Sequence, residues 1–568
     1  MKRSIKSLIV CTGVILVLPL FTWGQKIPMP KEKRMATHHE IPDDAYLSPS
    51  TDQKISPASM VDASGFFTRQ VNVDAQGNNI IGDAANEPSI AIDPTNPDRI
   101  AIGWRQFDNV SSNFRQAGYG FSTNGGLNWT FPGSLEAGLF RSDPVLDFDS
   151  TGAFYYNSLT SNTSGFFCKV FKSTDGGASW DAGAEAHGGD KQWMAVDRSG
   201  GEGEGNIYSF WSSSYSSCLP GFFTRSTDQG ASFEDCVVVD GDPYWGTMEV
   251  GPTGELYIAG AGQYDGIQVS KSTNAQTPGS GILWDHTTHV DMDGFIYAGA
   301  PVNPQGIIGQ AYIDIDRSNG PGRGNVYVTA SIARNSSSDP ADVMFSKSTD
   351  GGLTWSAPLR LNNDQSTSNY QWFGTMSVAP NGRIDVVWLD NRDAAGGMYH
   401  SALYYCHSED QGESWSINKQ ISNYFDPRVG YPQQEKMGDY FDMVSDNEGA
   451  HLAWASTLNG EQDVYYSHII PTITGIEDET GNTTITLSTY PNPFRDKTTI
   501  RYSVASACTV KLVICNIDGK EIKTLMDERK AAGTYQIVFN EEQLPAGFYF
   551  CRLTAGTNTQ TTRLIKLK

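Results

Sequence analysis

The sequence predicts an all-β chain: a seven-bladed β-propeller over residues 65–472, then a small immunoglobulin-like β-sandwich over residues 487–568. Three observations carry the prediction. One phrase, Ser-x-Asp-x-Gly-x-x-Trp, recurs at the spacing of an array of repeated units. Short β-rich runs precede each copy. No long stretch shows the periodicity of an amphipathic helix.

The phrase stands at Ser122–Trp129, Ser173–Trp180, Ser226–Phe233, Ser348–Trp355 and Ser408–Trp415. A damaged copy begins at Ser272 with Asn274; it lacks the glycine, and its candidate Trp284 comes late. Each copy reads as a hairpin turn. Asp175, Asp228, Asp350 and Asp410 are acceptors for turn N–H groups, and Asn124 holds that place in the first copy. The glycine four residues after the serine supplies φ > 0. The Trp, or Phe233, lays an apolar plate on the neighbouring strands. One carboxylate per copy is too few for calcium, which takes six to eight oxygens.

Two runs ahead of each copy define the units. The first runs are Ser89–Asp93, Val145–Asp149, Trp193–Asp197, Thr247–Val250, Ala311–Asp316, Thr375–Ala379 and Asp442–Ser445. The second runs are Ile100–Trp104, Phe154–Tyr156, Ile207–Trp211, Leu256–Ala259, Val326–Thr329, Ile384–Trp388 and His451–Trp454. That makes seven units. The seventh ends in Asp463–Ile470 without a copy of the phrase, and Thr68–Val73 can supply its missing strand, closing a ring with no unpaired edge. Gly200–Gly205 and Gly320–Gly324 are glycine-rich, but they join first to second runs with no helix to receive a phosphate, so they read as long hairpins.

The ends differ in character. Lys2, Arg3 and Lys6 precede the apolar Leu8–Phe21, and Thr22-Trp-Gly24 offers small residues for cleavage, so residues 1–24 read as a secretory signal. The apolar run is too short to favour a membrane span. Residues 25–64 read as an arm and 473–486 as a linker. From Thr489-Tyr-Pro-Asn-Pro-Phe494 onward, alternating strands are separated by Asp518-Gly519 and Pro545-Ala-Gly547 turns. Eight cysteines, three of them in this tail, do not make a disulfide scaffold; Cys218 and Cys236 are the only pair close in sequence within the propeller. The formal charge of −23, more negative still without the signal, disfavours nucleic acid and anionic membranes as partners. The nine histidines show no metal-binding spacing, and no Gly-x-Ser-x-Gly elbow is present. Nothing points to a cofactor.

The Ser-to-Trp phrase resembles the Asp-box, or BNR repeat, of sialidase-like β-propellers. The tail, about 80 residues, resembles the type A sorting domain of the type IX secretion system of Bacteroidota. The second resemblance implies export across the outer membrane through that machinery, to the cell surface or medium. The first implies that the boxes are structural and that ligands, glycans foremost, meet the opposite face, at the central funnel. There the loops entering the first runs carry Glu87, Arg141, Asp143, Asp190, Lys191, Trp245, Trp372 and Asp439, and those leaving the second runs carry Arg105, Asp390 and Arg392. A sialidase clamps its substrate carboxylate with three arginines and uses a Tyr–Glu pair and an acid. Arg105, Arg141 and Arg392 are the candidate clamp, Tyr440 or Tyr431 with Glu435 the candidate pair, and Asp143 and Glu87 the candidate carboxylates. The chain departs from that family in having Glu87-Pro88 in place of its Arg-Ile-Pro, and in a seventh unit where sialidases have six blades. The alternative expectation is a non-catalytic binding or adhesion propeller.

Overall fold

The computed structural model describes residues 44–49, 53–162, 165–393, 397–471 and most of 485–566. The signal expected at 1–24, the first part of the arm and nearly all of the linker fall outside the described residues. The chain divides into two compact units, Met1–Pro471 and Thr472–Lys568. Among the described residues the one helical element is the short turn Ser213–Tyr215. No helix of the described residues is long and apolar enough to cross a membrane.

Seven antiparallel sheets follow one another through the first unit. Their innermost strands are Ala84–Ile92, Ser142–Phe148, Trp193–Val196, Met248–Val250, Tyr312–Ile315, Gln371–Val378 and Asp442–Ser445. Each packs against the next, and the seventh packs back on the first, so the sheets radiate from a closed circle in the manner of a β-propeller. An inner strand has one edge without a partner strand, and its N–H groups need acceptors. Side chains of the preceding sheet provide them: Ile90 donates to Asp442, Leu146 to Ser89, Val196 to Asp147, Ile313 to Thr247, Val378 to Asp314 and Ser445 to Ser377, at 2.7–3.1 Å.

The circle closes in hydrogen bonds too. Phe66–Gln70 pairs antiparallel with Asp463–Ile469, the third strand of the seventh sheet, in the role expected of Thr68–Val73. Met60–Ala63 adds a strand outside it, so the arm enters the fold before residue 65. The Gly200–Gly205 and Gly320–Gly324 segments join first to second strands, with Gly205 and Gly324 N–H donating to the Asp197 and Asp316 carbonyls.

The Ser-to-Trp turns share one bonding scheme. In the copies at Ser173, Ser226, Ser348 and Ser408, the serine Oγ accepts the glycine N–H four residues on at 2.8–2.9 Å. The aspartate Oδ1 accepts the N–H four residues beyond itself at 2.8–2.9 Å. The glycine is needed for space as well as for φ: at Gly126 (φ +80°), a Cβ would fall 2.0 Å from the Tyr466 ring of the adjoining sheet. The damaged copy keeps part of the scheme, since Asn274 accepts from Leu283 N–H and Trp284 still docks edge-on against Phe223. Cys218 and Cys236 are joined in a disulfide.

The second unit has two antiparallel sheets, one of three strands and one of four. Phe494, Ile500, Tyr502 and Val504 share one core with Val510, Leu512, Ile514, Leu553 and Leu564.

Candidate functional site

The inner strands are bent where they begin. Glu87, Asp143, Lys191, Trp245 and Phe373 have φ between +46° and +58°, a left-handed backbone that side-chain-bearing residues seldom adopt. Glu87, Asp143, Lys191 and Phe373 stand six residues before the last residue of their first runs, at Asp93, Asp149, Asp197 and Ala379, and Trp245 stands five before Val250. The pairing register slips at this point in the first, second and sixth sheets. Bulges of this kind re-aim a side chain, and each strained residue costs on the order of 1 kcal/mol.

In three sheets these bends, together with the loop entering the seventh, bring charges together. Lys191 Nζ lies 2.7 Å from Asp439, 3.0 Å from Asp143, 3.7 Å from Asp190 and 3.9 Å from Glu87. Lys436 Nζ lies 2.6 Å from Asp439 and 3.3 Å from Glu87. Arg105 Nε lies 3.3 Å from Glu87, while its guanidinium also donates to Asn86 and Gln434. All these side chains are fully buried except Lys436, which is 5% exposed.

Burial raises the Glu87 carboxyl to about 7, against the pull of Arg105, Lys191 and Lys436. Burial acts on Asp143 too, but the charges of Lys191, Arg105 and Lys436 outweigh it and hold that carboxyl well below the usual range. Lys191 is disfavoured by burial, yet its four carboxylates hold it protonated far above its ordinary range.

The other candidates lie elsewhere or are engaged. Tyr440 is buried between this cluster and Trp193; its hydroxyl donates to the Pro144 carbonyl at 2.7 Å. Burial and the charges of Glu87 and Asp143 keep it a phenol. Glu435 is exposed, and Tyr431 is half-buried with a hydroxyl that has no hydrogen-bond partner. The three candidate clamp arginines each hold a different carboxylate: Arg105 holds Glu87, Arg141 holds Glu136, and Arg392 holds Asp390 at 2.7 Å. Trp245 and Trp372 are buried, the latter packing at a tilt against Phe373 with ring centres 4.6 Å apart. Asp390 also accepts from Trp388 Nε1 at 2.8 Å. Sequence reasoning missed Lys436; its i,i+3 relation to Asp439, one residue from the chosen Glu435, was the available signal.

A second feature is set by loops that enter first strands, at Tyr297 and Tyr370, and by the loop that leaves the second strand of the sixth sheet, at Tyr399. Tyr297, Tyr370 and Tyr399 are half-buried. Burial raises the Tyr297 and Tyr370 phenols, with a smaller push on Tyr297 from Tyr370 and on Tyr370 from Tyr399. The Arg428 guanidinium lies 4.1 Å over the Tyr399 ring, and its charge reaches Tyr431.

No curated protein matches this chain. Among solved structures, a protein of unknown function from Dyadobacter fermentans is 14% identical, covering 71% of this chain and 99% of its own at a TM-score of 0.40. A PL25 ulvan lyase is 12% identical, with 71% and 96% covered and a TM-score of 0.41. Trypanosoma rangeli sialidase is 9% identical, with 89% of each chain covered and a TM-score of 0.35. Likenesses this distant assign no activity. Residues 488–567 match the family described as secretion system C-terminal sorting domain, so this chain carries a sorting tail and is exported to the cell surface or beyond.

Proposed function

We propose that the chain is an exported seven-bladed Asp-box propeller that binds a glycan on the face of the entering loops, and that its centre is a structural hub. Its tail is an immunoglobulin-like sandwich over about residues 487–568, and the propeller covers about 65–472 with Met60–Ala63 as an added outer strand. The tyrosine group carries the binding reading. Tyr297, Tyr370 and Tyr399 offer partly exposed aromatic rings with polar tips beside Arg428, the mixture of apolar surface and few polar groups that ligand sites use.

The hub supports binding over turnover. A glycosidase keeps two carboxylates about 5–9.5 Å apart with substrate or water between them. Here Lys191 Nζ touches both Asp143 and Glu87, in a space closed to solvent. One observation favours the hydrolytic alternative: Glu87 and Asp143 have their acidities pushed apart, as in an acid–base pair.

The test is a glycan array followed by calorimetry on the full chain, with Tyr370→Ala and Tyr399→Ala. The expected result is binding weakened about tenfold or more by each change, and no turnover of sialosides or polysaccharide fragments. Turnover that disappears in Glu87→Gln or Asp143→Asn would replace the binding reading with hydrolysis.

A further inference from the structure

The seventh sheet differs from the second to fifth sheets at one cross-strand pair; the first and sixth sheets, on either side of it, have Ala101 with Phe121 and Asp385 with His407 there. In the second, fourth and fifth sheets, the second residue of the second strand is a tyrosine facing a lysine: Tyr155 with Lys172, Tyr257 with Lys271, Tyr327 with Lys347. The third sheet pairs Tyr208 with Arg225. In the second sheet, Asp149 of the first hairpin completes the set, accepting the Tyr155 hydroxyl at 3.0 Å. The seventh sheet places His451 opposite His468 in the same register, with Asp446 in the hairpin position.

This substitution changes what the site can hold. The two imidazoles stack with ring centres 4.3 Å apart and planes within 8°, so one ring turns out of the stack before both nitrogens can face a common ion. A ligand nitrogen from each and an Asp446 oxygen all lie within 4.8 Å of one another. Both Nε2 atoms are buried without a hydrogen bond, and His451 Nε2 is 3.2 Å from Asp446 Oδ2. Asp446 Oδ1 is already engaged by the Glu448 and Gly449 N–H groups, leaving Oδ2 for the site. His451 Nδ1 is 2.7 Å from the Tyr466 hydroxyl, the outer contact that typically orients a metal-binding imidazole. Gly449 keeps the space open, since a Cβ there would stand 2.9 Å from His468 Nε2.

We propose that Asp446, His451 and His468 bind one divalent transition-metal ion of the zinc class, through two imidazole nitrogens and one carboxylate oxygen, with water completing the shell. Asp446 is about one-third exposed and provides the way in. The ion ties the first hairpin to the second and third strands of the sheet that closes the ring. In the corresponding place that sheet has no Ser-to-Trp turn.

The test uses the tag-free full chain, dialysed against chelator and titrated with zinc chloride by calorimetry, with thermal melts before and after. The expected result is one zinc per chain, a raised Tm, and visible ligand-field bands when cobalt replaces zinc. The double variant His451→Tyr/His468→Lys rebuilds the Asp–Tyr–Lys set of the second sheet. It should fold and bind zinc at least about 100-fold more weakly. If it does not fold, His468→Gln alone provides the same comparison. Absence of stoichiometric zinc uptake by the unaltered chain, or uptake unchanged in the variant, overturns the proposal.

Discussion

Replacing Lys191 with methionine removes the cation at the middle of the buried hub. Its ammonium stands 2.7 Å from Asp439 and 3.0 Å from Asp143, with Asp190 and Glu87 within 3.9 Å. At an effective dielectric of about 20, each of the two closest contacts is worth about 5–6 kcal/mol gross. Much of that only offsets the cost of taking the ammonium out of water. Removing one partner of a buried pair nets about 3–5 kcal/mol of lost stability, a large share of what holds a domain together. The loss has a definite pH dependence. Without Lys191, carboxylates such as Asp143 lose the charge that held their proton affinity down, so their folded pKa values rise above the unfolded ones. A carboxyl raised on folding favours the folded state at low pH, and this advantage is lost as pH rises. Lys191→Met should therefore be crippled at pH 8 and partly restored at pH 5. Urea unfolding followed by the fluorescence of the 13 tryptophans measures both. A penalty below about 1 kcal/mol at pH 8, or one equal at the two pH values, would refute the reasoning.

Two more outcomes follow from the same structure. Glu87 is raised to about 7 by burial, so it favours folding below its unfolded pKa and loses that contribution as pH climbs to 7; Glu87→Gln should flatten the fall in unfolding free energy between pH 5 and 7 by on the order of 1 kcal/mol per pH unit, and an unchanged slope would show that Glu87 is ionised throughout. Cys218→Ser should cost about 3 kcal/mol for opening a loop of 18 residues, with thiol counting under denaturing conditions as the check that the bond exists.

The repeat was legible because turns and strands are local. Ser173, Asp175 and Gly177 specify their turn through contacts two to four residues apart, and the β-branched and aromatic content of runs such as Val326–Thr329 specifies a strand. The closing strand could be placed because a ring cannot leave an edge open. The hub was legible only as a collection of charged loop residues. Glu87, Asp143, Lys191 and Asp439 were each named, yet their spacing could not show that Lys191 joins the others or that Lys436 completes the set. Those contacts depend on the bulges at Glu87 and Asp143 and on the seventh sheet returning to the first. The same closure and bulges left Arg105, Arg141 and Arg392 on three separate carboxylates.

The sequence by itself determined the element types and the export tail, since these rest on short-range turn chemistry and a contiguous C-terminal pattern. Only the tertiary structure decided which charges share the axis and that His451 faces His468. A buried ion must find its counter-ion wherever the fold places it, here across as many as 352 residues between Glu87 and Asp439, and a one-residue slip in register would turn His468 to the other side of its sheet.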